Sequence, residues 1–139
     1  MLTGAAGHGY GCLDLFYFYK YADGPFPKNG FQHWRTAAAY EGTRQMGLMR
    51  RLFEQRPWHK MVPDQSVLAS EAGGGPYRLV AARAEDRSFV IAYTARGQSF
   101  SIQMDKLRGS QVKAQWYDPR DGTWKVIGQY PNKGIQEFA

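Results

Sequence analysis

Gly4-Ala5-Ala6-Gly7-His8-Gly9-Tyr10-Gly11, near the start of the chain, is the feature that most constrains the fold. Glycine has no Cβ, so it lets backbone approach backbone or ligand closely and permits positive φ. A small-residue run ending in His, Gly and Tyr suits the end of a buried strand turning into a binding loop. No strand or helix precedes it, so the reading expects a domain that is the back end of something larger.

The chain has 139 residues, enough for one domain or two small units. Hydrophobic residues make up 43% and aromatics 15%, a globular composition rather than a disordered one. The longest apolar runs fall well short of the roughly 20 residues that a membrane span needs. No basic stretch followed by an apolar one stands at the N-terminus, so no signal peptide is visible.

The net charge is +6, which permits binding to nucleic acid or an acidic polysaccharide. The 18 basic residues are spread out, however, and the recognition motifs of nucleic-acid binders are absent. The one dense stretch, Arg44 to Arg56 with Arg50 and Arg51, reads as a solvated helix face. A single cysteine, Cys12, excludes an internal disulfide and a cysteine-based metal cluster. His33 and His59 lack a metal-ligand spacing. No metal site, no cofactor and no nucleic-acid partner is expected.

Three zones follow along the chain. From Met1 to about Phe31, the glycine loop leads into Leu13, Leu15, Phe16, Tyr17, Phe18, Tyr19 and Tyr21. Asp23-Gly24-Pro25-Phe26-Pro27-Lys28-Asn29-Gly30 closes the zone as a loop. The aromatic run is too dense for a solvent-facing helix and reads as packed against a partner surface or lining a cleft.

A helical zone runs from about Gln32 to Gln55. Met46, Met49, Leu52 and Phe53 recur at three- and four-residue steps and build one apolar face. Gly42 divides a short helix, around His33 to Tyr40, from a longer one capped by Thr43. Pro57 ends the second helix.

From about Trp58 onward the chain reads as β. The expected strands are 78–83, 88–94, 100–104, 112–117 and 124–129. Turn signals separate the strands, and their spacing suggests a sandwich. Gly73-Gly74-Gly75-Pro76 reads as a flexible loop tip. Val112, Ala114 and Trp116 share one face, and Trp116 and Trp124 flank one hairpin and are expected to meet in or beside the core. Asp118 is expected to cap the intervening turn, Asp118-Pro119-Arg120-Asp121-Gly122.

The order of these elements carries a resemblance. The glycine loop is followed by Trp34, Gln45-Met46, Arg56-Pro57-Trp58, Val62-Pro63-Asp64-Gln65 and finally Trp116-Tyr117-Asp118-Pro119-Arg120-Asp121-Gly122. Together they resemble the C-terminal part of bacterial apiosidase-like glycoside hydrolases. That resemblance implies an α+β chain: the last strand and helix of a (β/α)8 barrel, then a small antiparallel β-sandwich. Residues 1–58 would be the barrel remnant. Residues 59–139 would be the sandwich, called the putative collagen-binding domain of a collagenase, and lacking its last strand. The family is usually secreted or periplasmic. Its catalytic carboxylates sit on earlier barrel strands, so the chain is expected to be truncated at both ends.

Glycoside hydrolysis needs two carboxyl groups flanking the scissile bond, about 5 Å apart for retention or further for inversion. Asp14, Asp23 and Glu41 are the carboxylates of the first zone, but no catalytic pair is assigned within the chain. Loops after barrel strands open on the catalytic face, so the resemblance makes His8 and Tyr10 candidate substrate-binding residues. His8 can donate and accept hydrogen bonds, and Tyr10 offers a hydroxyl and a ring. The alternative is that His8 satisfies backbone groups and Tyr10 packs beneath the loop. Trp34 could stack on a sugar, or belong to the core.

The leading function is therefore a C-terminal fragment of a glycoside hydrolase acting on plant or complex polysaccharide side chains. Its carbohydrate partner would be engaged through the missing barrel, with the sandwich packed on that barrel. The alternative is a stand-alone glycan- or collagen-binding sandwich, which a row of exposed aromatics would favour. Tyr77, Tyr93, Tyr117 and Tyr130 are the candidates, with Tyr93 expected in the core. The fragment reading also predicts exposed apolar surface around Leu15, Phe16 and Phe18, which promotes self-association.

Overall fold

The computed structural model describes residues 1–20 and 31–139. Asp23 and the loop from Asp23 to Gly30 lie outside the described residues. The chain forms two compact units. One comprises Met1–Gly7, Arg56–Tyr117 and Trp124–Ala139, and the other His8–Gln55 and Asp118–Thr123. Helix and antiparallel sheet are segregated along the sequence, an α+β arrangement.

In the second unit, a four-residue helix α1 spans Leu13–Phe16, a short α2 spans Trp34–Ala37, and α3 spans Glu41–Glu54. The α3 sequence buries Leu48 and Phe53 and half-buries Met46, Met49 and Leu52, as its three- and four-residue steps require. Two expectations fail at its start. Gly42 is the second residue of α3 and not a divider, and Tyr40, not Thr43, is the N-cap residue. The Thr43 hydroxyl instead donates to the Ala37 carbonyl, satisfying the end of α2.

In the first unit, β1 is Met61–Pro63, β2 Leu79–Ala84, β3 Val90–Thr94, β4 Phe100–Gln103, β5 Gln111–Tyr117, β6 Trp124–Pro131 and β7 Ile135–Phe138. They form three antiparallel sheets, ordered β1-β2-β3, β4-β7 and β5-β6. β1 and β7 were not legible from composition, because β1 is only three residues long and β7 lacks two-residue alternation. No strand forms over residues 1–11, contrary to the expectation from the glycine run. A strand needs a ladder partner for its N–H and C=O groups, and this segment has none among the described residues.

The core is built from Val67, Leu68, Leu79, Ala81, Phe100, Ile102 and Met104, with Val90, Ala92, Val112, Trp116, Tyr130 and Phe138 packed around it. Aromatic edges meet there. Phe100 lies 5.7 Å from Trp116 in a T-shaped contact, and Tyr130 lies 5.4 Å from Phe138. Trp116 and Trp124 do not share this core. The register places Tyr117 opposite Trp124 and Trp116 opposite Lys125. Directly paired residues share a face and sequence neighbours do not, so the two indoles point to opposite faces. Trp124 packs on Tyr117 with centroids 4.7 Å apart, and the Arg56 guanidinium lies 4.8 Å from the Trp124 ring centroid. Arg56 is therefore half-buried on an aromatic and not part of a solvated helix face, and desolvation lowers its pKa. A bulge at Ile127 breaks the alternation along β6, which leaves Val126 exposed.

The Val62-Pro63-Asp64-Gln65 motif has a structural account. Asp64 caps the 3₁₀ turn at 65–67 by accepting from the Ser66 amide, and pairs with Arg83 at 2.6 Å. The Gln65 side-chain amide bonds both the N–H and C=O of Ala81 in β2. The turn therefore delivers Val67 and Leu68 to the core in fixed register. The glycine-rich segment at 73–76 is a hydrogen-bonded turn and not a loose tip: Leu79 N–H donates to Ala72 and Tyr77 N–H to Gly74.

The β5–β6 turn forms as its residue types require. Asp118 accepts from the Arg120 amide, Gly122 N–H donates to the Asp118 carbonyl, and Asp121 accepts from the Thr123 amide. The Arg120 side chain also donates to both carboxylate oxygens of Asp118.

Two outcomes follow from this packing. Met104 is 1% exposed, so Met104→Ala should lower the free energy of unfolding of the first unit by about 2–5 kcal/mol in urea titration. Hydrogen bonds from the Arg120 side chain, then its amide, lower the Asp118 pKa to about 2. A depressed folded-state pKa contributes stability that is present above the unfolded value, about 4, and lost as pH falls toward 2. The Arg120 amide resonance should therefore shift over that window, and the transition should vanish in Asp118→Asn.

Candidate functional site

The residues singled out for chemistry lie at the start of the second unit. There the loop around Tyr10, the short α1 and the first turn of α3 meet. Tyr10 reaches α3 because Gly42 has no side chain. A Cβ built at Gly42 would come within 2.5 Å of the Tyr10 hydroxyl oxygen, so any side chain there would make the phenol move aside. Asp14 of α1 is 7% exposed and accepts a hydrogen bond of 3.2 Å from the Tyr40 hydroxyl. Buried carboxylates need such partners, since an unpaired one carries a large desolvation cost. Desolvation raises the Tyr40 pKa, reinforced by the Asp14 hydrogen bond and by the charges of Asp14, Cys12 and Tyr10. Tyr10 against Gly42 and the Asp14–Tyr40 pair thus gather at the start of α3.

A second cluster surrounds Trp34. Its indole is half-buried, with the Arg35 guanidinium 4.7 Å from the ring centroid, His33 stacked at 5.9 Å and Phe18 edge-on at 6.1 Å. The backbone just after α1 builds this arrangement. Phe18 N–H donates to Leu15, Tyr19 N–H donates to Asp14, and the Tyr19 carbonyl accepts from Trp34. The first two bonds make a Schellman closure, whose left-handed position is normally glycine. Here it is Phe18, at φ 47°. A bulky residue in that region costs about 1–2 kcal/mol, and the ring it displays is 66% exposed.

The exposed apolar surface expected around α1 is present at Phe16, 76% exposed, and at Phe18, together with Leu13 and Tyr17. Leu15 departs from that expectation: it is half-buried, on the side of α1 that also carries buried Asp14. His8 is exposed. Tyr10 sits in the Asp14–Tyr40 cluster, and Trp34 in the cluster with Phe18 and Arg35. Sequence reasoning missed Tyr40 and Arg35. Arg35 adjoins a tryptophan and was visible in principle. The Asp14–Tyr40 pairing spans 26 residues and has no local signal.

Of the carboxylates, Asp14 is committed to Tyr40. Glu41 accepts from Arg44 and Gln45, and its hydrogen bond from Arg44 lowers its pKa. Arg44 in turn donates to the Arg120 carbonyl at the hairpin tip. Among the described residues no group of three His, Cys, Asp or Glu side chains could hold a metal ion. Cys12 is a free, half-buried thiol. No helix among the described residues is long and apolar enough to cross a membrane.

The family model described as "Putative collagen-binding domain of a collagenase" matches residues 62–139, more than half of the chain. The chain belongs to this family. A second model, "Apiosidase-like, catalytic domain", matches residues 1–60, which contain the glycine loop and both clusters. Two solved structures extend the likeness. One titled "Glycoside hydrolase" aligns with a TM-score of 0.83 at 29% identity, over 95% of this chain and 29% of that one. A glycoside hydrolase family 5 structure from Bacteroides vulgatus ATCC 8482 aligns with a TM-score of 0.82 at 29% identity, over 95% of this chain and 28% of that one. The chain thus spans less than a third of the length of these glycoside hydrolases. No curated protein gives a significant match. The resemblance carried by the motif order is therefore shown: the chain is similar to apiosidase-like glycoside hydrolases.

The contact at Gly42 makes a signed prediction. Gly42→Ala should increase amide exchange around Tyr10, because the methyl group displaces the phenol, and should give little or no net stabilisation of the second unit. In a Tyr10→Ala background the same change should instead stabilise by about 0.5–1 kcal/mol, the ordinary helix-propensity gain. Amide exchange and urea unfolding of the four proteins of this cycle read the difference.

Proposed function

We propose that this chain is the C-terminal portion of a glycoside hydrolase acting on plant or complex polysaccharide side chains. The observation that carries the reading is the tandem match. An apiosidase-like catalytic-domain model covers 1–60, and a collagen-binding-domain model follows over 62–139. On this reading residues 1–58 are the last strand and helix of a (β/α)8 barrel. Residues 59–139 are a small antiparallel β-sandwich that packs on the barrel and stabilises it, rather than binding collagen. The strandless glycine run is consistent with this, because a parallel barrel strand acquires its ladder only from neighbouring barrel strands.

His8 and Tyr10 then contact the sugar from the catalytic face, and Trp34 offers a stacking ring beside Phe18. The two catalytic carboxylates belong to the remainder of the barrel: the chain's own Asp14 and Glu41 are bound up in structural hydrogen bonds. The exposed apolar surface at Leu13, Phe16 and Phe18 packs on barrel when barrel is present, and drives self-association when it is not. The second reading, a stand-alone glycan- or collagen-binding module, draws on Tyr77 and Tyr93, which are exposed on the first unit.

Expression of the 139-residue chain alone and of the same chain with its in-frame upstream sequence tests the proposal. Aryl glycoside hydrolysis should appear only with the longer protein. The short chain should sediment as oligomers that Phe16→Ser with Phe18→Ser disperses. Turnover by the short chain, or an upstream region unrelated to a barrel, would sink it.

A further inference from the structure

The β5–β6 turn does more than connect two strands. The strands themselves belong to the first unit, but Asp118–Thr123 pack with His8–Gln55 in the second, the unit that carries Tyr10. Arg44, near the start of α3, joins the turn to that unit. Its Nε and Nη2 donate to the two carboxylate oxygens of Glu41, at 2.9 and 2.5 Å. Nη2 carries two N–H bonds, and it also donates to the Arg120 carbonyl. One guanidinium fork thus bridges the first helical turn of α3 and the hairpin tip.

The hairpin tip is built to present that carbonyl. The Asp118 carboxylate accepts from both the amide and the side chain of Arg120, which folds Arg120 back on the turn. Asp121 accepts from the Thr123 amide and hydroxyl. The side chains of Asp118, Arg120, Asp121 and Thr123 are therefore engaged within the turn, and the Arg120 carbonyl accepts from outside it. The charges agree with the geometry. The Arg44 pKa is raised chiefly by its hydrogen bond to Glu41, and Asp121 of the turn adds to the rise.

The start of α3 needs such a brace. Its N-cap residue, Tyr40, makes no side-chain cap hydrogen bond, and the Thr43 hydroxyl is turned to Ala37. A helix end without a side-chain cap leaves its amides to solvent and frays. Three consecutive residues there carry three contacts. Tyr40 donates to Asp14, Glu41 holds Arg44, and Gly42 lies against the Tyr10 phenol. The Tyr10 ring is 41% exposed, and the surface it rests on exists only while this helical turn is wound. We propose that the Asp118–Thr123 turn positions Tyr10: acting through Arg44 and Glu41, it keeps the first helical turn of α3 wound and Gly42 against the phenol. Arg44 is the positioning residue. On the reading of Tyr10 as a sugar contact, on which this one consequence rests, the hairpin tip shapes the sugar-binding loop.

Hydrogen exchange and tyrosine nitration of the 139-residue chain, both read by mass spectrometry, test this without requiring a monomer. The Arg44 amide, which donates to the Tyr40 carbonyl, reports the first helical turn of α3. Nitration reports Tyr10, whose Cε2 faces Gly42. Arg44→Met keeps the length of the side chain and removes the fork. It should speed exchange at Arg44 about two- to fivefold, the range of an exposed charged pair, and should speed nitration of Tyr10. Asp118→Ala, which leaves α3 untouched, should do the same by releasing the hairpin tip. The two together should do no more than either alone, because they break links of one chain of contacts. Exchange at Leu52 and Phe53, near the other end of α3, should stay at the parent rate. Effects of Asp118→Ala confined to the hairpin, or additive effects of the two substitutions, would leave Arg44 a local ion pair of α3 and overturn the proposal. An equal rise in exchange along all of α3 would overturn it too, as loss of the unit rather than of its first helical turn. Neither sugar nor upstream sequence enters the measurement, so its failure leaves the hydrolase reading standing. An upstream region unrelated to a barrel would overturn that reading without touching the role of Arg44.

Discussion

The first unit depends on one apolar core that three small antiparallel sheets share. A two-stranded sheet is marginal in water by itself, and two of the three sheets here have only two strands. Phe100 and Ile102 of β4 and Met104 after it, with Val67 and Leu68 of the preceding turn, fill the space between them. The polar bonds around that core position it more than they strengthen it. Gln65 pins the turn to β2, and Ala69 N–H reaches the Ser101 carbonyl. Such bonds add about 1 kcal/mol each. Burial of an apolar side chain adds about 1.5–3 kcal/mol, so the packing decides the fold and the bonds decide the register.

The second unit has a different balance. Four-residue helices such as α1 and α2 do not persist on their own, and they are held by specific local devices. The Asp14–Tyr40 pair joins α1 to the start of α3, the Trp34 amide closes on Tyr19, and Gly42 makes room for Tyr10. Phe18 occupies a left-handed position that glycine would fill without strain. The backbone tolerates this while exposing aromatic rings to solvent. That combination suits surface shaped to meet something else, and it fits the proposed place of these residues at the edge of a barrel.

Much of the β region was legible because its strands are bounded by strong turn chemistry. Asp118 to Gly122 specifies a hairpin by residue type alone, and the hairpin forms there. The strands at Leu79–Ala84, Val90–Thr94 and Phe100–Gln103 follow from short apolar runs between such breaks. β1 escaped because three residues carry too little pattern, and β7 because Ile135 and Phe138 are three apart and do not alternate as Phe100 and Ile102 of β4 do. Tyr93 shows a different kind of failure. Its apolar neighbours suggested a core position, yet β3 is the edge of its sheet and Tyr93 is exposed. Trp124 failed for a related reason: whether two residues of a hairpin meet is set by register and by the bulge at Ile127, not by their hydrophobicity. Of the candidate site, the residue types at His8, Tyr10 and Trp34 were readable, but their surroundings were not. Nothing local links Asp14 to Tyr40 or Arg44 to Arg120.

By itself the sequence determined the succession of elements, the turn at Asp118 to Gly122, the apolar stripe of α3 and the family resemblance. All of these depend on residues close together in the chain or on motifs in a fixed order. Only the tertiary structure decided which rings are buried, which carboxylates are already paired, and which side chain ties the β5–β6 turn to α3. Those outcomes depend on register and on contacts between residues tens of positions apart. Local propensity carries no information about either.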